Sequence, residues 1–500
     1  MRSAGDHNDH NLCPGRDLGH CAGMSNRSTW RAWAAAGVGL CLAASLGTTG
    51  TPTAAATAAT PSLDATPCPP SLPADTSCYA GQQPSGAHYL IAVPEGWDGD
   101  LVVHAHGGPD LGAATPERVA EDLDRWSVMV AEGYAWVGSS YRRGGYGTRM
   151  AAADTEEVRR LFVDAVGEPG TTLLHGQSWG GLVAAKTAEV YGGRRGPYDG
   201  VLLTNGVLAG ATRGYDYRLD LRVVYQHYCG NHPRPSEPSY ELWRGLPAGS
   251  TMTAAELRRR AQECTGYQSP PEQRTPQQRA RLADILAVTQ IPERSFYSHL
   301  SFATFTFRDI VHTRLHDRNP FTNLGVAYRG SSDDRSLNRG VLRYRADAGA
   351  RRDLSFDSDL TGEIAVPVLT LHAIDDPTAF VEHESAFRRT LDAAGNAHRL
   401  VQTFTRESEH SALSDSGYAT AIGALHDWVT LGRRPSSRSI ERACARHDLD
   451  HGQGCFFDAG YRPGSYFDRV HPRPGHTRWP ALDARDAARW ERIGGIGIDY

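Results

Sequence analysis

Leu174-His175-Gly176-Gln177-Ser178-Trp179-Gly180-Gly181 places a serine between glycines at G-x-S-x-G spacing. A short β-type run, Thr171 to Leu174, precedes it, and a helical run, Leu182 to Val190, follows it. A serine on a tight strand-to-helix turn is held in a strained backbone, so only small residues fit two before and two after it. The helix behind it offers free N–H groups and the positive end of a dipole. The five-residue pattern also arises in loops by chance. Its weight therefore rests on context and on whether chemical partners follow in order.

Working outward, residues 87–206 alternate strand-like and helix-like segments. His88 to Val93, Leu101 to Ala105, Tyr134 to Val137 and Gly200 to Thr204 read as strands. Pro116 to Ala131 and Ala151 to Val166 carry helical periodicity between them. This β-α-β rhythm predicts an α/β fold with a mostly parallel sheet and helices on both faces. Residues 207–362 break the rhythm: they are rich in Arg and Tyr and mostly helical in pattern. The rhythm returns over 363–432, with strands at Val366 to Leu371 and Arg399 to Phe404, a helix from Phe380 to Ala393, and a closing helix from Tyr418 to Leu431. An insertion between two strands of one sheet is expected to cap the strands' carboxyl ends, where such folds bind ligands. Residues 59–86 read as an N-terminal segment. Residues 433–500, rich in Pro, Gly and Arg, read as an ordered C-terminal wrap because of Phe456, Tyr461, Tyr466 and Phe467.

A serine hydroxyl is a poor nucleophile near neutral pH. It needs a base within hydrogen-bond reach and an acid to orient that base. Leu369-Thr370-Leu371-His372-Ala373-Ile374-Asp375-Asp376-Pro377 puts two aspartates just past an apolar strand, and Asp376 sits where an orienting carboxylate would leave the sheet. Asp375 is its competitor. After the strand ending at Thr204 the corresponding place holds Asn205, which lacks a carboxylate. His410 follows the next strand in a polar loop, whereas His383 falls in a helical stretch and His398 just ahead of a strand. The order Ser178, Asp376, His410 is thus met in three matching contexts. His106-Gly107-Gly108-Pro109 follows an early strand; Pro109 has no N–H, so Gly108 or Gly107 must donate, and Gly108 is the candidate, with Trp179 supplying the second donor to an oxyanion.

These motifs resemble the α/β-hydrolase superfamily over roughly residues 87–206 and 363–431. The His106-Gly107-Gly108-Pro109 run and the tryptophan after the serine are similar to those of prolyl aminopeptidases and related peptidases, and also of secreted esterases and amidases. Two departures stand against a minimal aminopeptidase: Asp110 replaces a glycine after Pro109, and the insertion is long. The resemblance implies a serine hydrolase with a Ser178–Asp376–His410 triad. The expected substrate is a small-to-medium carboxylic ester, with amide or peptide bonds as the alternative. A non-catalytic binding protein on the same fold is a third reading. No cofactor and no metal is expected. Asp448-Leu449-Asp450-His451-Gly452 starts like a calcium loop but lacks the third ligand and the glycine. Phe302, Phe305 and Phe307 are read as cap core, with a substrate pocket as the alternative.

The formal net charge of −5 and the absence of a long basic run point away from a nucleic-acid partner. Residues 1–58 are read as an extension and export signal: from Met24, Arg27 and Arg31 precede an apolar stretch from Trp33 to Leu46, with cleavage expected near Ala56 to Ala59. That stretch is short for a stable membrane anchor. A secreted protein, extracellular or periplasmic, is the expectation. Of nine cysteines, Cys13, Cys21 and Cys41 precede the expected cleavage, leaving six, an even number suited to an oxidising compartment. Proximity in sequence couples Cys68 with Cys78, Cys229 with Cys264, and Cys444 with Cys455.

Overall fold

The computed structural model describes residues 63–473. The expected export signal, the cleavage region at Ala56 to Ala59 and the last part of the wrap lie outside the described residues. Nine strands form one sheet: β1 (Ala65–Thr66), β2 (Ser77–Gln82), β3 (His88–Val93), β4 (Asp100–Ala105), β5 (Ala135–Ser139), β6 (Thr171–Gln177), β7 (Gly200–Thr204), β8 (Val368–Ala373) and β9 (Leu400–Thr405). Their spatial order is β1-β2-β3-β5-β4-β6-β7-β8-β9. The first three strands pair antiparallel, and β3 meets β5 antiparallel. From β5 to β9 every pairing is parallel.

The parallel strands are short aliphatic runs because both their faces are covered. Successive side chains point to opposite faces. Val103, Leu174 and Leu203 join one apolar cluster with helices α3 (Thr148–Ala165) and α4 (Trp179–Tyr191). Their neighbours Val102, Leu173 and Leu202 join the other, against α1 (Pro116–Arg125), α2 (Ser127–Ala131) and the later helix Asp415–Leu431. The sequence-predicted helix over 116–131 is thus two, parted at the fully buried Trp126.

Between β7 and β8 the chain is helical, with α5 (Gly210–Cys229), α6 (Ala254–Thr265), α7 (Pro276–Thr289), α8 (Phe296–Ser301), α9 (Asp334–Gly340) and α10 (Ala348–Ser358). Two π-helical stretches, Phe302–Thr306 and Asp309–Arg314, extend α8. Phe302, Phe305 and Phe307 lie here: Phe307 is buried and stacked on Phe321 at 3.9 Å, while Phe302 and Phe305 are half-buried. This insertion touches the loops at the carboxyl ends of three strands. Arg314 donates to Gly144 O at 2.8 Å, His299 Nε2 meets Pro377 O at 2.9 Å, and Arg294 donates to Ser408 O at 3.2 Å.

After β8 come α11 (His383–Ala393), β9 and α12 (Asp415–Leu431). α12 does not close the fold, as the periodicity suggested. α13 (Ser437–His451) packs beside it, and a short α14 (Tyr466–Arg469) follows. The wrap pairs with the end of β9, where Arg406 N donates to Phe456 O and Asp458 N to Phe404 O. It then reaches the insertion: Tyr466 Oη donates to Arg213 O at 2.9 Å, and the buried Arg473 pairs with Asp220 at 2.5 Å. The three cysteine couples read from sequence are disulfides in the structure. Among the described residues no helix is long and apolar enough to cross a membrane.

Candidate active site

Ser178 lies between β6 and α4 at φ 60° and ψ −125°, a left-handed backbone that β-carbon-bearing residues rarely adopt. What permits the turn is the absence of side chains around it. A Cβ on Gly176 would meet Gly180 O at 2.1 Å, and one on Gly180 would meet Ala105 O at 2.2 Å. The turn brings Ser178 Oγ to the loop that follows the edge strand β9. His410 Nε2 lies 2.7 Å from Ser178 Oγ. On the same ring, Nδ1 lies 2.7 Å from Asp376 Oδ2 and 3.0 Å from Oδ1. The strand order, the turn after β6 and this sequence of contributions decide the fold. The chain has the α/β-hydrolase fold.

No family model matches the chain, and no curated protein matches it. Solved structures that it resembles include feruloyl esterase B from Aspergillus oryzae, at 13% identity and TM-score 0.40 over 75% of this chain and 86% of that one. Others are the ligand-bound form of the rice cell wall degrading esterase LipA from Xanthomonas oryzae, at 13% and TM-score 0.34 over 70% and 89%, and the esterase EaEST from Exiguobacterium antarcticum, at 14% and TM-score 0.34 over 70% and 98%.

The two candidate aspartates separate by position. Asp376 is buried, and its Oδ1 also accepts the backbone N–H groups of Thr378 at 2.7 Å and Ala379 at 3.0 Å. Asp375 is exposed, and its carbonyl accepts from Arg294. His383 and His398 are brought to other places. His383 Nδ1 accepts from Ala209 N at the start of α11, and His398 lies in the turn before β9.

Two side chains that the sequence reading did not assign hold the histidine loop. Asn205, at the end of β7, donates from Nδ2 to His410 O at 2.7 Å and Glu409 O at 3.2 Å, while its Oδ1 accepts Ala373 N at 2.7 Å. Gln177 Nε2 donates to the same His410 carbonyl at 2.6 Å. The signal was present: two adjacent, fully buried strands each end in a polar amide at the level of Ser178.

Of the two expected oxyanion donors, Trp179 follows Ser178 directly and Gly108 lies in the loop after β4. Trp179 opens α4, where the first N–H groups of a helix have no partner within it. Gly107 lies against the elbow, where an added Cβ would be 3.8 Å from Ser178 Cβ, and Gly108 follows at φ 66°. Below this loop runs a buried polar chain. His175 Nδ1 meets His104 Nδ1 at 2.9 Å; Asp122 Oδ2 lies 3.5 Å from His104 Nε2 and 2.6 Å from His106 Nδ1; His106 Nε2 lies 3.2 Å from Asp110. Burial works against charge on His106, but Asp122 and Asp110 outweigh it and push its pKa up to about 9. Burial likewise opposes the Asp122 carboxylate, yet His106 and His104 hold it well below the usual range. The histidine that begins the His106-Gly107-Gly108-Pro109 run thus anchors the loop as a cation between two carboxylates.

Proposed function

We propose that this protein is a secreted serine hydrolase that cleaves a carboxylic ester of a small-to-medium substrate through an acyl-enzyme. One observation carries the reading: a single imidazole, His410, bridges Ser178 Oγ and the buried carboxylate of Asp376. With Asp376 accepting from Nδ1–H, Nε2 is left free to accept the serine proton. Ser178 Oγ then attacks the substrate carbonyl as His410 takes that proton. The carbonyl oxygen becomes an oxyanion, held by the N–H groups of Trp179 and Gly108. His410 returns the proton to the leaving alkoxide, the C–O bond breaks, and alcohol departs. Water, deprotonated by His410, attacks the acyl-serine, and collapse releases the acid and restores Ser178. Residues 207–362 act as a cap that encloses the acyl and alcohol groups. Three disulfides support folding in an oxidising compartment.

The test is labelling by a fluorophosphonate probe, beside turnover of 4-nitrophenyl alkanoates of graded length and 4-nitroanilides of acyl and aminoacyl groups. Wild type is labelled at Ser178 and turns over esters faster than anilides, and Ser178→Ala is neither labelled nor active. Preferential anilide turnover would replace the esterase reading by the amidase or exopeptidase one. A folded wild type that escapes labelling would leave only a binding protein.

A further inference from the structure

Arg218 stands on α5 one turn beyond Gly214 and is 5% exposed. Its Nε donates to His299 Nδ1 at 3.3 Å. Phe302 lies against the guanidinium, 3.8 Å from Cζ to ring centroid, with the Tyr215 and Tyr217 rings at 5.0 and 5.1 Å. Nη1 is buried and has no hydrogen-bond partner, and among the described residues no carboxylate lies within ion-pair distance of this side chain. Arg222, one turn further along α5, likewise has no carboxylate partner among the described residues and an unpartnered Nε, but both its Nη groups are taken up within the protein, donating to His232 O at 3.1 and 3.2 Å and to the Tyr240 hydroxyl. A guanidinium cannot shed its proton, so a buried one without a counter-ion carries an uncompensated charge.

The place of this charge is defined from two sides. His299, which receives Arg218 Nε, reaches with its other nitrogen to the carbonyl of Pro377, next to Asp376. Tyr217 packs on Phe380 in the same loop at 5.2 Å. On the other side Tyr215 packs on Tyr146 at 5.6 Å, and Tyr146 on Trp179 at 5.7 Å, the residue after the nucleophile. The guanidinium is therefore suspended between the acid loop and the nucleophile turn, with the half-buried Phe302 as its outer cover.

Resting on the hydrolase reading above, we propose that Arg218 binds a carboxylate of the substrate, so that the protein selects esters whose acyl or alcohol part carries one negative charge. A planar carboxylate matches the flat fork of a guanidinium. The flanking Phe302, Tyr215 and Tyr217 rings offer flat faces beside the guanidinium, and one unpaired cation matches a single negative charge rather than a dianionic phosphate. Burial of the guanidinium would strengthen such a pair.

The experiment compares matched pairs of chromogenic esters. In the first series, mono-4-nitrophenyl esters of six- to ten-carbon dicarboxylic acids are set beside their methyl-capped diesters. In the second, 4-carboxyphenyl alkanoates are set beside their 4-(methoxycarbonyl)phenyl counterparts. In at least one series wild type should prefer the charged member in kcat/KM by about 10- to 100-fold. Arg218→Met should abolish that preference while fluorophosphonate labelling of Ser178 persists. Arg218→Lys, which keeps the charge but loses the fork, should retain part of it and serves if the Met variant fails to melt cooperatively. A labelled wild type with no charge preference in either series overturns the assignment of Arg218, as does a preference that survives its replacement. Absence of labelling in wild type would instead overturn the hydrolase reading itself.

Discussion

Asp375 and Asp376 carry the same carboxyl group at adjacent places in the chain, yet their surroundings give them different chemistry. Asp376 is 4% exposed and its oxygens are taken up by two backbone N–H groups and by His410 Nδ1. An acceptor at that point fixes which ring nitrogen carries the proton, and therefore which one can take the serine proton. Asp376→Asn preserves shape but offers an N–H where an acceptor is needed, so kcat should fall by about 10⁴. Asp375→Asn, changing an exposed group, should leave kcat within about twofold. Steady-state kinetics of the two variants decide it; the reverse ranking would mean that another carboxylate orients His410. At this scale the three side chains that the structure brings together, Ser178, Asp376 and His410, were legible because the proposed chemistry demands a residue type at a strand end. Asn205 and Gln177 were not, since an amide acting on backbone groups across the sheet has no partner nearby in sequence.

The end of β7 shows what an element contributes to geometry. Asn205 occupies a left-handed position at φ 45° and ties the last residue of β8 to the carbonyl of His410. It couples the strand before Asp376 to the histidine loop, a positioning role in the proposed reaction. Asn205→Ala should lower kcat by about 10- to 100-fold through a misplaced imidazole. KM should hold, and the rate of fluorophosphonate labelling should fall with kcat. Stability should drop by about 1–3 kcal/mol because the buried Ala373 N–H is left unpaired, while His410 O keeps its bond from Gln177. If the melting temperature falls while kcat and labelling do not move, Asn205 merely supports the fold. Elements were readable from sequence where burial imposes a strong pattern, as in β6, β7 and β8, whose residues are buried throughout. β2 was missed because Ser77–Gln82 has one buried residue and no apolar run. α13 was missed because only Ile440 and Cys444 are buried along Ser437–His451, so an Arg-rich helix on the surface looked like more of the Pro- and Gly-rich wrap.

Seven imidazoles are buried among the described residues: His104, His106, His175, His232, His299, His372 and His383. Burial holds His104, His175, His232 and His383 below the ordinary histidine value and brings His299 to about 3. For His106 and His372 burial is outweighed by carboxylates, Asp122 with Asp110 and Glu384, and their values rise. The two groups act on opposite sides of the unfolded histidine pKa of about 6.5. Below it, the unfolded chain binds protons at the first five positions that the folded chain refuses, so stability falls as pH falls. His106 and His372 are protonated in both states there and add no slope. Above it, the folded chain alone keeps those two protons, and their contribution is lost as pH rises, for His106 through about 9. Each proton of difference is worth about 1.4 kcal/mol per pH unit. All five sites act in the same direction on the acid side, each steepening the loss of stability as pH falls. The urea midpoint should therefore drop steeply between about pH 6.5 and 5 and only gently between about 7 and 9. Unfolding at pH 5.5 in weak buffer should consume several protons per molecule. A profile that is flat or symmetric about neutrality, or unfolding without proton uptake, would show that these histidines are protonated inside the fold.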